Sequence, residues 1–415
     1  MKINIKRFNM ENLLLILCLF CVSWLNHGFA GQFGIVNFKI FILQFGLWFI
    51  FALHRNNWHL KISNIWFGIY TALLWIYSLT HTEVFNIITY ASVYILILSV
   101  FYDYYSAPKL HQERKIILSF YLFENLLVAL RTAYVCFRDP MFSRNITGSV
   151  ENVSGYLDLF IARFEHIYTF SMIAVLLLVI APKMRHKVFF YICAAVFMVC
   201  IYYANYSTAL FITILFIASI IVFRRPKRIL MAMVIAMLLV SVLTPFLADI
   251  VLQIANQNGI SYFIKRKLYD VYDFMLGTGR YNPNNTLYAR TKFSMDAVQV
   301  FKEHFLIGIY GRPSCADLVP RIHDHNVWFD MLAYFGVVRI IPYLMIFYRY
   351  YQNIKKYFAQ WNISPLSLML LLWVIYGFVN PVGRTANHIF LFFILPLFGQ
   401  YYMDEHSGLL KTKAK

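Results

Sequence analysis

Charge is scarce in this chain: Asp, Glu, Lys and Arg together make up 13% of its 415 residues, where a soluble globular domain carries about 25%. Hydrophobic residues reach 60% and the mean hydropathy is +0.61, a balance that excludes a soluble domain and specifies a polytopic membrane protein. No internal repeat stands out and no low-complexity linker occurs, so the two halves do not announce the inverted symmetry common in transporters. Cysteine supplies no metal framework. Of six, Cys18, Cys21, Cys193 and Cys200 fall in apolar runs and read as small packing residues. Only Cys136 and Cys315 could meet an oxidising exterior, as a disulfide whose distance the sequence leaves open.

A helical span takes about 20 mostly apolar residues, and suitable runs occur at 12–28, 34–53, 64–80, 84–102, 115–136, 166–181, 187–204, 206–223, 229–247, 326–348, 364–379 and 387–402. The expected fold is therefore all-α with about twelve transmembrane helices. It divides into an N-terminal bundle of about nine spans over 1–247, a large loop over 248–325, about three C-terminal spans over 326–402 and a tail over 403–415. Gly28-Phe29-Ala30 faintly resembles a cleavage site, but no soluble domain follows and the first span is expected to stay as an anchor.

Lysine and arginine set the orientation. With a cytoplasmic N-terminus, the inner segments hold Lys2, Lys6 and Arg7, then Arg55 and Lys61, Lys109, Arg114 and Lys115, Lys183, Arg185 and Lys187, Arg224, Arg225, Lys227 and Arg228, Arg349, Lys355 and Lys356, and Lys411, Lys413 and Lys415. The short outer connections, such as His81 to Glu83, are almost free of both residues, which is the positive-inside pattern. Both termini are expected in the cytoplasm, and much of the net charge of +18 is accounted for by inner turns facing anionic lipid, without nucleic acid as a partner.

Two outer loops are long, 137–165 and 248–325, and long loops in compact proteins are usually functional or disordered. The second has a folded character: Leu287, Ala297, Val298, Val300 and Phe301 recur at roughly helical spacing over 287–304, predicting an amphipathic helix on the membrane surface. It is also rich in arginine and lysine, including Arg280, Arg290, Lys292, Arg312 and Arg321. Positive charge retained outside asks for an anionic partner, either lipid headgroups or a phosphate-bearing substrate, whose oxygens suit the planar fork of arginine. The loop ends in Arg321-Ile322-His323-Asp324-His325-Asn326, where chemistry on a lipid-linked substrate would meet the bilayer. Histidine holds and releases a proton near neutral pH. Metal binding is the lesser reading, because rings two residues apart on a helix diverge and no distant ligands complete a set.

In these residues the chain resembles the O-antigen polymerases and O-antigen ligases of bacterial surface polysaccharide assembly. The resemblance rests on ten to twelve spans, a large extracytoplasmic loop in the C-terminal half, and His325-Asn326 followed by the nine residues Val327 to Phe335 and then Gly336. The stretch Arg290 to Gly311 is similar to the family's run of arginine, amphipathic helix and Gly-x-x-Gly. The likeness covers the chain from Ser207 onward. Three positions depart from the ligase pattern: Arg339 stands three residues after Gly336, Ser294 rather than leucine stands four after Arg290, and Thr208 replaces an arginine after Ser207.

The resemblance implies an inverting transfer of an oligosaccharide from undecaprenyl pyrophosphate to an acceptor sugar, with no nucleotide sugar, no metal and no other cofactor. It implies a cytoplasmic-membrane protein of a bacterium that joins repeat units into O-antigen, capsule or exopolysaccharide. The donor and acceptor glycans and the bilayer would be its partners, with a chain-length regulator and a flippase alongside. His325 is the candidate base, with Asp324 or Asp330 to orient it and His323 in reserve. Arg290 leads the residues suited to the pyrophosphate, with Arg321, Arg384 and Arg131 as further candidates. Arg131 could equally pair with Glu124 seven residues earlier on one helix face. Polymerase is favoured over ligase. A lipid-linked oligosaccharide flippase is the rival from another class, although its charges belong inside the bundle rather than in one outer loop.

Overall fold

The structure, a computed structural model, describes residues 10–26, 38–56, 65–80, 82–139, 142–143, 161–223, 228, 231, 243–244, 246–257, 262–276, 286–309, 326–361, 364–379 and 385–413. Among these residues every regular element is helical. In order they are α1 (Met10–Leu25), α2 (Phe38–Asn56), α3 (Ile65–Thr80), α4 (Thr82–Tyr105), α5 (His111–Arg138), α6 (Phe164–Ile180), α7 (Lys187–Tyr203) and α8 (Ser207–Phe223). There follow α9 (Tyr262–Leu276), α10 (Thr286–Glu303), α11 (Val327–Ile354), α12 (Pro365–Val379), α13 (Thr385–Ile389) and α14 (Leu395–Lys413). Among the described residues, three stretches, Pro108–Arg138, Phe164–Lys183 and Val327–Phe358, are long and apolar enough to cross a membrane, and shorter apolar helices include Met10–Leu25, Lys187–Tyr203 and Pro365–Phe378. Most of the run expected at 229–247 lies outside the described residues. The segment read as a tail is helical as far as Lys413.

The chain forms two units. One comprises Met1–Ala218, Pro342–Tyr376 and Val382–Lys415, the other Ser219–Ile341 and Gly377–Pro381. In the first, α6 is buried on nearly every side, from His166 to Leu177 without a break, as a helix that is apolar all round should be. Between helices in lipid the bonds that matter are packing and hydrogen bonds. Trp48 of α2 shows both: its indole stands edge-on to Phe101 at 4.6 Å and donates to the Tyr105 hydroxyl at 3.3 Å, which donates to the Leu14 carbonyl at 3.1 Å. Ser171 of α6, Thr213 of α8 and Tyr376 of α12 join their hydroxyls in one cluster, with Thr213 and Tyr376 2.9 Å apart. Large apolar side chains such as Leu43, Ile50, Phe123, Leu130 and Phe211 remain exposed on these helices, a surface suited to lipid rather than water.

Two breaks follow from the sequence. Asn205 takes positive φ (58°) between α7 and α8, where asparagine tolerates the left-handed conformation. After α13 the chain makes a π-helical turn, Phe390–Ile394, closed by the Leu395 N–H on the Phe390 carbonyl. The next residue, Pro396, has no N–H to continue the series, and the Leu391 carbonyl is taken instead by the buried Tyr350 hydroxyl of α11.

Candidate functional site

The loop-to-span junction belongs to the second unit, and its first described residue is Asn326. The Asn326 side-chain oxygen accepts from the Phe329 N–H at 3.2 Å, and the Asp330 carboxylate accepts from the Asn326 N–H at 2.8 Å. This reciprocal capping satisfies two N–H groups at the start of α11. The Asn326 amide nitrogen also donates to the Phe378 carbonyl at 3.0 Å, while a Cβ on neighbouring Gly377 would lie 2.5 Å from the Trp328 indole nitrogen. Asn326 thus fixes where the helix begins, immediately after His325. Asp330, read from sequence as a partner for His325, is engaged by the backbone of Asn326.

Ten residues on, α11 is interrupted at Gly336, whose φ of 61° and ψ of −170° are not helical. The two N–H groups beyond the break turn away from the helix: Val337 donates to the Phe305 carbonyl and Val338 to the Leu306 carbonyl, both at 3.0 Å. Those carbonyls belong to the turn that ends α10, in which Gly308 also has positive φ. A Cβ on Gly336 would stand 2.3 Å from the Leu306 oxygen, and one on Gly308 2.4 Å from the Phe335 nitrogen. The two glycines therefore let two backbones touch, which no other residue allows here. Ala297, Val300, Ile309 and Ala333 form the core beside this joint, with Phe329 and Tyr334 packed against it.

Both helices approach the joint with their earlier residues on one side, since Ala297 and Val300 precede the turn and Phe329 and Ala333 precede Gly336. Arg290 lies in the second turn of α10, seven residues before Ala297 and hence about 10 Å farther from the joint along the helix. Asn326 lies about 15 Å from it along α11. Against α10 packs α9, a strongly amphipathic helix that sequence reasoning missed because Lys265, Arg266 and Lys267 read there as part of a basic loop. It also carries two buried acids, Asp270 at 6% exposure and Asp273 at 0%, on the face that Arg266 shares by its four- and seven-residue spacing. The available signal was the stripe Ile264, Leu268, Val271, Tyr272 and Met275 at three- and four-residue spacing. Arg339, the departure from the ligase pattern, is buried, with its guanidinium carbon 3.4 Å from the centre of the Phe335 ring.

Arg321, His323, Asp324, His325 and Arg384 lie outside the described residues, as does Cys315. Arg131 is described: it is half-exposed on α5 of the first unit. The pairing open to it at seven residues is not formed among the described residues, and Glu124 instead accepts from the Ser23 hydroxyl at 2.9 Å. Cys136 is a buried free thiol. The same unit holds a buried polar set that the sequence did not announce. His166 donates from Nε2 to the Asn26 carbonyl at 2.6 Å and accepts at Nδ1 from the Arg163 N–H at 3.4 Å, which defines a neutral tautomer. Asn26 reaches Asn125 at 3.3 Å, and Thr169 donates to Asn387 at 3.2 Å.

No family model matches the sequence, and no curated protein matches it either.

Proposed function

We propose that the chain is a multi-pass glycosyltransferase of the bacterial cytoplasmic membrane that polymerises undecaprenyl-pyrophosphate-linked repeat units on the outer face. On this reading about twelve spans cross the bilayer, both termini are cytoplasmic and residues 248–325 form an outer cap. The observation that carries it is the Gly308–Gly336 joint, which ties the arginine-bearing α10 and the helix beginning beside His325 to one backbone junction. A reaction that needs a base and a cationic clamp at fixed separation is served by such a tie.

The acceptor hydroxyl attacks the anomeric carbon of the donor glycan from the face opposite the pyrophosphate. The carbon–oxygen bond to pyrophosphate breaks with inversion, His325 takes the hydroxyl proton, and Arg290, with Arg321 and Arg384, stabilises the charge on the departing undecaprenyl pyrophosphate.

The test is polysaccharide length on gels from cells lacking the gene, complemented at matched membrane expression. Wild type should restore long chains, and His325→Ala and Arg290→Ala should leave single repeat units. Normal polymer from both variants refutes the assignment. With purified protein and lipid-linked donor, movement of donor without elongation would identify a transporter instead.

A further inference from the structure

The turn that ends α10 presents an apolar outer surface. Phe305, Leu306 and Ile307 follow one another at 53%, 64% and 44% exposure. Single exposed apolar residues are ordinary, but a contiguous set marks a place that something apolar covers. The patch does not end with the turn. Val338, whose N–H reaches the Leu306 carbonyl, is 40% exposed, and Ile341, three residues on along the same helix face, is 50% exposed. Both belong to the stretch Val327–Phe358, which is long and apolar enough to cross a membrane, so the exposed surface of the turn is continuous with that of a membrane-crossing helix.

Two further observations favour lipid over a protein partner as the cover. In hydrocarbon, backbone that leaves the helix must have its polar groups satisfied by protein, whereas in water a carbonyl can bond solvent. Here the carbonyls of His304, Phe305 and Leu306 accept from the N–H groups of Gly308, Val337 and Val338 at 2.9, 3.0 and 3.0 Å, so three consecutive carbonyls of the turn are all bonded to backbone. Charge, moreover, stops where the patch begins. Lys302 and Glu303 are exposed in the last turn of α10, and the next exposed residues, 305 to 307, are all apolar. A change from charged to apolar within three residues matches a border between headgroups and acyl chains, and the long stem of Lys302 lets its ammonium stay on the polar side.

We propose that Phe305, Leu306 and Ile307 are inserted among the acyl chains of the bilayer, with membrane hydrocarbon as the partner of this surface. The helix α10, expected from its periodicity to lie along the membrane surface, then has its C-terminal end fastened below that surface, and the Gly308–Gly336 joint is held at a set depth. The inference rests on the placement of the chain in a membrane and is independent of the reaction proposed above.

The test uses the full-length protein reconstituted in phosphatidylcholine vesicles, with a bimane fluorophore on one introduced cysteine. The background is Cys315→Ser, in which the remaining cysteines are buried. Quenching by phosphatidylcholine bearing a doxyl group on its acyl chain is compared with quenching by aqueous iodide for Phe305→Cys, Leu306→Cys, Ile341→Cys and, at an exposed charged position of α10, Lys292→Cys. The probes at 305, 306 and 341 should be quenched several-fold more by the lipid than by iodide, and the probe at 292 the reverse. Iodide quenching at 305 and 306 equal to that at 292, with the probe at 341 in lipid, overturns the inference and leaves the membrane placement intact. Shielding of 305 and 306 from both quenchers would mean a cover of protein, a second copy of this chain, and overturns it as well. Iodide access at 341 too removes the membrane placement of α11 and the inference with it.

Discussion

A methyl group at Gly336 would collide with the Leu306 carbonyl in a backbone conformation that an L side chain resists. Gly336→Ala should therefore cost more than the about 1–3 kcal/mol of this glycine-only backbone conformation alone, because the added Cβ meets backbone rather than a flexible side chain. Gly68, in the interior of α3, has no neighbour within 4 Å of a built Cβ, and Gly68→Ala should gain about 0.5–1 kcal/mol from helix propensity. Thermal unfolding of the two variants side by side checks the contrast, and equal melting temperatures would contradict it. Gly336 stood out in the sequence as the end of a spaced motif. The reason for the spacing did not, because it lies in the carbonyls of residues 305 and 306, which have no side-chain signature. His325 at the loop-to-span boundary and Arg290 within the loop were likewise legible as chemistry-bearing types, whereas Asp270 and Asp273 were hidden behind the basic run Lys265, Arg266 and Lys267.

At the scale of elements, apolar length made most helices readable. The run read as 364–379 is Pro365–Val379, and the amphipathic stretch read over 287–304 is Thr286–Glu303. Interruptions inside helices were harder, since a π-turn depends on which distant hydroxyl takes a released carbonyl. The Tyr350 hydroxyl performs that service for Leu391. Tyr350→Phe leaves a buried acceptor without its donor and should cost about 1–3 kcal/mol. In a Pro396→Ala background, where the backbone regains an N–H beside the turn, the same change should cost less. Melting temperatures of the four proteins decide the matter, and an equal loss in both backgrounds would sink this account of the turn.

Over the whole molecule, the contacts that close the first unit join parts of the chain far apart in sequence. The Arg114 guanidinium donates to the Tyr105 and Ala107 carbonyls at 2.8 Å each and to the Asp404 carboxylate at 2.5 Å, and the Gln400 amide donates to the Ser106 carbonyl. The turn between α4 and α5 is thereby fastened to α14. Arg114 was legible only as one more inner basic residue, because nothing local points to a partner 290 positions away. Arg114→Met, which removes all three bonds, should destabilise by about 3–5 kcal/mol. Asp404→Asn should cost less, since its side chain is 30% exposed and the two carbonyl bonds remain. A larger loss for Asp404→Asn in thermal unfolding would show that the carboxylate, not the carbonyl pair, is the main anchor.

The first unit is also divided in time. Its opening stretch ends at Ala218 and its last begins at Val382, with the second unit's Ser219–Ile341 made between them. A ribosome has therefore delivered both backbones of the Gly308–Gly336 joint before the helix that carries Asp404 exists. Arg114 leaves the ribosome early and must wait for nearly the last of the chain, so the protein can finish its middle before it can finish its beginning.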